Sequence, residues 1–328
     1  MGIESNLKSR HCNLCGSLNH EFLFSSYDRM FQVQDYYKLY RCTDCGLIFI
    51  SPQPSKGTLS KHYCKDKYEV LTESKDFHER RIFTLMECLY QYCYVGNSPK
   101  SLRFVSYPFY PFRPMFRTLK FVEKGNFLDV GCAMGYFLLI AKYLGMNPYG
   151  VEPWDFDKKL SEDYNLNIFN GTLLEAKYES DFFDVVTLNH VLEHVDNPSE
   201  IMEELYRILK PSGYLIMGVP ISDSIAFKLF GTFWGQLDTP RHLFIFSKMT
   251  LKRYAEKFSF DIVDIRYNST PSYQFICSFV YIAEQFTKRS FRRELTQNVF
   301  LNFLFSPISA LLNLIRCGDQ CEIILTKK

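Results

Sequence analysis

Two short cysteine units carry the first recognisable chemistry in this 328-residue chain. They are Cys12-Asn13-Leu14-Cys15-Gly16 and Cys42-Thr43-Asp44-Cys45-Gly46. Each C-x-x-C-G reads as a knuckle, a tight turn that aims two thiolates at one metal, with glycine supplying the positive φ. Two knuckles offer four sulfurs in a tetrahedron, which suits Zn²⁺. A single C-x-x-C would serve as well as a redox pair. Two of them, in a segment too small to bury its own core, indicate a structural metal rather than a redox or catalytic centre. His11 and His20 read as bystanders.

A second set of residues can hold a nucleotide. The run Phe127-Leu-Asp-Val-Gly-Cys-Ala-Met-Gly-Tyr-Phe-Leu138 begins as a short buried strand, Phe127 to Val130. It turns over Gly131 to Gly135 and opens a helix from Tyr136 to Leu144, stopped by Gly145. Strand, glycine turn and helix start a doubly wound sheet, with ligand at the strand's carboxyl end. A second strand, Tyr149 to Glu152, ends in an acid suited to the paired hydroxyls of a ribose. The turn reads Asp129-x-Gly131-x-Ala133-x-Gly135, not the G-x-G-x-x-G of a pyrophosphate site. An acid there repels a pyrophosphate and attracts the ammonium of an amino-acid moiety. The pattern therefore favours S-adenosylmethionine over NAD.

The elements that must position these groups follow in alternation. Asp184 to Asn189 is a buried strand. Asn197 caps a helix with Pro198 in its first turn, and Ile201, Met202, Leu205, Ile208 and Leu209 share one face. Lys210-Pro-Ser-Gly213 ends that helix before a strand from Tyr214 to Val219. Phe260 to Tyr267 and Glu322 to Thr326 read as the last two strands. Hydrophobic residues make up 47% of the chain, enough for a sizeable core. With 38 Lys+Arg against 36 Asp+Glu, the chain lacks the basic footprint of a nucleic-acid binder. Aromatics reach 17%, which fits aromatic-lined pockets and a biased genome equally well. The 11 cysteines are odd in number, and Met1 to Arg10 is polar, so a reducing cytoplasm is expected rather than a disulfide framework.

Several segments together resemble the class I S-adenosylmethionine-dependent methyltransferases. They are Leu128 to Gly135, Gly150-Val-Glu-Pro153, Gly171-Thr-Leu-Leu-Glu-Ala176, Phe183 to Pro198 and Leu209-Lys-Pro-Ser-Gly213. Asp238-Thr-Pro-Arg-His-Leu-Phe-Ile-Phe-Ser247 is similar to a bacterial subgroup with an amino-terminal zinc ribbon, found among glycan, quinone and secondary-metabolite pathways. The resemblance implies an α/β fold: a doubly wound, mostly parallel seven-stranded sheet over residues 121–328, its last two strands antiparallel. To this are added a zinc ribbon over 1–60 and a helical linker or cover over 61–120. It also implies that Asp129, Gly131 and Gly135 shape the methionine end of the cofactor pocket, with Cys132, Ala133, Tyr136 and Phe137 also binding the cofactor. By its own residue type Cys132 reads as a small buried turn residue and not a nucleophile. Glu152 takes the ribose, Pro153 and Trp154 flank the adenine, and Gly171, Thr172 and Leu173 run along its edge. Asn189 and His190 face the cofactor. Many relatives have an acid where Thr172 stands, so backbone or Glu175 would have to hold the adenine amino group.

Methyl transfer to oxygen needs a base. His242, after the fifth strand, is the first candidate and His190 the second. The other reading has Arg241 and His242 bracing their loop. His190 and His194 share a face if their segment is helical. Glu193 and His194 read as structural, and His62 and His78 as surface residues. The leading expectation is methylation of a small molecule, with a sugar hydroxyl in a nucleotide sugar or glycan ahead of a sugar carbon or a quinone or lipid-linked acceptor. A non-catalytic nucleic-acid-binding ribbon is the alternative of another class. Lys61 to Tyr94 reads as helical, before the prolines at 99, 108, 111 and 114. Residues 271–317 form an apolar helical insertion that covers the site, dimerises or touches a membrane interface, and burial against protein is the expectation.

Overall fold

The computed structural model describes residues 11–63, 89–91, 93, 116–120, 122–155, 158–287, 295–296 and 298–328. Most of 61–94 and the four prolines of the linker therefore lie outside the described residues. Residues 89–91 and 93 are helical, as expected.

The larger sheet has seven strands. In chain order they are β4 (Asn126–Val130), β5 (Asn147–Glu152), β6 (Asn167–Asn170), β7 (Phe183–Asn189), β8 (Leu209–Pro220), β10 (Phe260–Tyr267) and β11 (Gln320–Lys327). Their spatial order is β10-β11-β8-β7-β4-β5-β6. The pairs β6-β5, β5-β4, β4-β7 and β7-β8 are parallel, while β11 runs antiparallel to both β8 and β10. This is the doubly wound, mostly parallel sheet that the alternating pattern predicts. The chain reverses at β4, so the carboxyl ends of β4, β5 and β7 meet where such sheets take ligands.

Local sequence explains the flanking helices. One of them, α2 (Tyr136–Tyr143), buries Phe137, Leu138, Leu139, Ile140 and Ala141. Another, α5 (Pro198–Ile208), has Asn197 accepting the Glu200 amide and Pro198 in its first turn. A cap of this kind is worth about 1 kcal/mol. Ile201, Met202, Leu205 and Ile208 face the core as expected. Leu209 instead begins β8, so the Lys210–Gly213 segment interrupts a strand rather than ending a helix.

The smaller sheet contains β1 (His20–Asp28), β2 (Val33–Cys42), β3 (Ile48–Ile50) and a fourth strand from far along the chain, β9 (Phe244–Ile245). Ile48 pairs with Ile245 and Phe49 with Phe244, and the Ile50 amide donates to Leu243 at 3.0 Å. The ribbon is thus completed by the Arg-His-Leu-Phe-Ile segment of the larger domain. Its first knuckle is also docked. Asn13 bonds Asn197, Ser199 and Tyr254, at the start of α5 and on α7 (Lys248–Lys257). The smaller sheet therefore extends beyond residues 1–60.

The described residues of the 271–317 insertion are mostly helical. A π-helical turn, Ser272–Ile276, leads into α8 (Cys277–Thr287), and α9 (Val299–Leu314) follows. The expectation that protein covers its apolar residues fails for α9: Val299, Phe300, Phe303, Leu304, Ile308, Leu311 and Leu314 are exposed.

Candidate functional site

The two knuckles have the same geometry. In each, glycine adopts a positive φ (75° at Gly16, 82° at Gly46) and donates 2.8 Å back to the first cysteine's carbonyl. The turns bring the four sulfurs within 4.8 Å of one another, with Cys12–Cys45 at 3.4 Å and Cys15–Cys42 at 3.6 Å. Four thiolates at about 2.3 Å from a tetrahedral Zn²⁺ stand about 3.8 Å apart, so the donor set fits that ion. Hydrogen bonding from Cys45 pulls the Cys12 thiol down to about 5 despite burial. His11 and His20 bond backbone carbonyls, as bystanders would.

At the head of β4 the turn is tight. The amides of Gly131 and Cys132 both donate to the Val151 carbonyl at the end of β5. A Cβ on Gly131, at φ 71°, would stand 2.4 Å from Val191, so only glycine lets the β7 loop close over the turn. Glu152 is buried at the end of β5. It accepts the amide of Ala133 at 2.9 Å and that of Trp154 at 3.0 Å. Burial raises its pKa, and these two amides oppose the rise. A carboxylate oxygen accepts two hydrogen bonds, so Glu152 retains capacity for a diol. The Asn170 side-chain amide clamps the same corner, reaching the carbonyls of Glu152 (3.0 Å) and Trp154 (3.1 Å).

Four of the expected site residues already have partners within the chain. Asp129 is held by Arg117, which pairs with both its oxygens (2.5 and 3.0 Å), and by Thr187, which donates at 2.6 Å. Phe137 is buried, packed on Phe127 with the Arg117 guanidinium 3.9 Å above its ring. Trp154 has one face taken by Tyr63, stacked at 4.4 Å. Thr172 caps a short helix, α4 (Leu173–Ala176), and Glu175 folds back onto it in a capping box, so Glu175 serves the helix rather than an adenine. Cys132 is buried as expected, and burial pushes its thiol pKa up. Ala133 sits at φ 47° in the turn, Tyr136 opens α2, Pro153 is exposed, and Gly171 and Leu173 bracket the capped threonine. The Oδ1 of Asn189, at the end of β7, is buried without a partner among the described residues.

Beyond β7 the chain makes a turn, not a helix, so His190 and His194 are not stacked on a helix face. His190 takes φ 54° and donates its amide to Gly218 at 2.8 Å. Its Nδ1 is 3.0 Å from Glu193 Oε1, which leaves Nε2 as proton acceptor. Burial lowers the His190 pKa, but the Glu193 carboxylate outweighs it and the net shift is upward. His242 Nδ1 lies 2.8 Å from the Gln236 carbonyl, and His194 Nδ1 3.0 Å from that of Arg241. Their rings meet edge to face at 4.6 Å. Burial brings both down to about 4. Glu193 is the hub. Its carboxylate lies 3.9 Å from His242 Nε2, its backbone carbonyl accepts the amides of Leu243 and Phe244, and its Oε2 has no partner among the described residues. Tyr63 joins the two halves of the site, stacking on Trp154 and placing its hydroxyl 3.1 Å from His194.

Arg241 does brace its loop. It donates to Asp238 and to Asp28 at the end of β1, and Asp28 also bonds His62 at 2.6 Å. His62, expected at the surface, is buried in this network. His78 lies outside the described residues.

Residues 110–265 match the sequence model of a family described as a methyltransferase domain. The ubiquinone biosynthesis O-methyltransferase of Actinobacillus pleuropneumoniae is 33% identical over 99 residues, 27% of this chain and 42% of that protein. The demethylmenaquinone methyltransferase of Listeria monocytogenes is 28% identical over 106 residues, 29% of this chain and 44% of that protein. The chain spans about half the length, or less, of the curated relatives it matches. Among solved structures, phosphoethanolamine N-methyltransferase 2 of Haemonchus contortus with S-adenosyl-L-methionine is 19% identical, covering 77% of this chain and 59% of that one with TM-score 0.42.

Proposed function

We propose that the protein is an S-adenosylmethionine-dependent methyltransferase acting on a hydroxyl of a small-molecule acceptor. One observation carries the reading: a buried carboxylate, Glu152, closes the second strand against a glycine turn whose own amide it accepts. That corner presents a carboxylate with spare acceptor capacity to a ribose diol, and at the end of β7 the Asn189 Oδ1 is buried without a partner among the described residues.

When bound, S-adenosylmethionine supplies an already activated methyl group on its sulfonium. The chain contributes alignment, exclusion of water and removal of the acceptor's proton. Glu152 would hold the ribose, and the Asp129–Arg117 pair keeps the turn fixed beneath it. The base we propose is His190, ahead of His242. His190 is 31% exposed and backed by Glu193, whereas His242 is nearly enclosed. The relatives are named for ubiquinone biosynthesis and for demethylmenaquinone, which supports a quinone-type ring over the sugar hydroxyl or sugar carbon first expected. The zinc is read as structural, and a nucleic-acid-binding ribbon finds no support in the charge balance.

The test is kcat against pH with quinone-precursor acceptors. Only neutral imidazole takes a proton, so with His190 as base kcat rises with pH about a midpoint above the ordinary ~6.5. With His242 as base the midpoint falls near 4 and the rate is flat above neutrality. His190→Ala should cost about 10²–10⁴-fold in kcat with cofactor affinity nearly unchanged. In the same preparation, Glu152→Ala should weaken cofactor binding by about 1–3 kcal/mol without moving the midpoint. Unaltered calorimetric affinity in Glu152→Ala would sink the cofactor reading, and a wild-type rate in His190→Ala the base.

A further inference from the structure

Helix α9 is built inside out. The residues it turns toward the protein include Asn302, Ser309 and Asn313, alongside Phe305 and Leu312. Asn302 bonds Ser272 and the Thr296 carbonyl, and Asn313 bonds both the amide and the carbonyl of Ser269. The outward face carries Val299 (81% exposed), Phe300, Phe303 (78%), Leu304, Ile308, Leu311 and Leu314. Phe286, near the end of α8, adds to the exposed apolar surface at 82%. A helix that packs on a core and faces water has the opposite arrangement. Its polar anchors fix the rotation, so the outward face cannot simply roll inward.

Charge identifies what covers this face. The 16 residues of α9 include no charged side chain. By sequence, Lys288, Arg289, Arg292 and Arg293 precede the helix and Arg316 follows it, against the single acid Glu294. A partner must therefore be apolar in depth and anionic at its surface. At 1.5 Å per residue α9 is about 24 Å long, with Pro307 inside it, which is too short to cross a hydrocarbon core of about 30 Å. No described helix is long and apolar enough to span a membrane.

We infer that α9, with the adjoining end of α8, docks in the interface of an anionic lipid bilayer. The helix would lie in the plane of the headgroups with its aromatic face in the acyl boundary and Arg316, which follows it, near the phosphates. It would do so beside the catalytic edge. Shortly after α9 the chain enters β11 at Gln320, whose side chain lies 3.5 Å from Gln236, the residue that holds His242. Vesicle binding requires neither cofactor nor acceptor, so this inference stands or falls apart from the catalytic reading.

The experiment is co-sedimentation of the full chain with phosphatidylcholine vesicles, with and without phosphatidylglycerol. The protein should partition to the anionic vesicles, more weakly as salt rises. The exposed pair Phe300→Ser/Phe303→Ser should lower partitioning by about tenfold or more while the melting temperature stays put. Three results would overturn the inference: folded wild type that stays in the supernatant, binding that the double variant leaves untouched, or a wild-type dimer in light scattering that the double variant converts to monomer. The last would give the face to a second copy of the chain.

Discussion

Two clusters of acids and bases sit side by side around Asp238, and they are built to different standards. In the junction cluster, Arg241 makes five hydrogen bonds, two to Asp238, two to Asp28 and one to the His62 carbonyl. Asp28 also takes His62 and the Phe31 amide. Arg241 and Asp238 hold each other ionised: the arginine is pushed further up, and the Asp238 carboxyl is kept low although burial alone would raise it. In the neighbouring cluster Glu193 has an oxygen without a partner among the described residues, and His242 Nε2 lies 3.9 Å from each of two acids, Glu193 and Asp238. His190 is a third exposed. A saturated network has no capacity left for a ligand and serves as a brace. An unsaturated one pays a standing desolvation cost and keeps donors and acceptors in reserve.

Removing metal should break the contrast most severely. Cys12→Ser should lose zinc and disorder the ribbon, because structural zinc sites supply folding energy of about 10 kcal/mol or more. Asp28 would then leave Arg241. Elemental analysis with far-UV circular dichroism checks this, and zinc-free protein with an intact ribbon would end the structural-zinc reading. Arg241→Met comes next: Asp238 loses its guanidinium and Asp28 keeps only His62 and the Phe31 amide, at about 3–5 kcal/mol, read as a lowered melting temperature. Glu193→Gln is the smallest in stability and the sharpest in function. The melting temperature should barely move, while the midpoint of kcat against pH should fall, because the carboxylate that raises His190 is gone. A large loss of stability in Glu193→Gln with an unshifted midpoint would reduce both clusters to scaffolding.

What the sequence discloses and what it hides follow from separation along the chain. The knuckles, the glycine turn, Glu152 and the Asn197 cap are local patterns whose partners lie within a few residues or one strand away. Arg117 was missed although only 12 positions from Asp129, because nothing periodic marks the linker that carries it. Asp28 and Arg241 stand 213 residues apart, and no pattern in either segment announces the other. His62 was misjudged for the same reason, since a lone polar residue looks solvated until its partners are known. The outward face of α9 was missed because an apolar helix gives the same composition whether protein or something else covers it.

The shared sheet also sets a timetable. A ribbon that borrows β9 cannot close when its own residues are made. After Ile50 leaves the ribosome, nearly two hundred further residues must be synthesised before Ile245 can pair with Ile48. At typical elongation rates of about 5–20 residues per second, that wait is about 10–40 s. Throughout it the knuckles have cysteines but β3 has an open edge, so early metal capture would add to the local β1–β2–β3 pairing in holding the nascent amino-terminal segment in register.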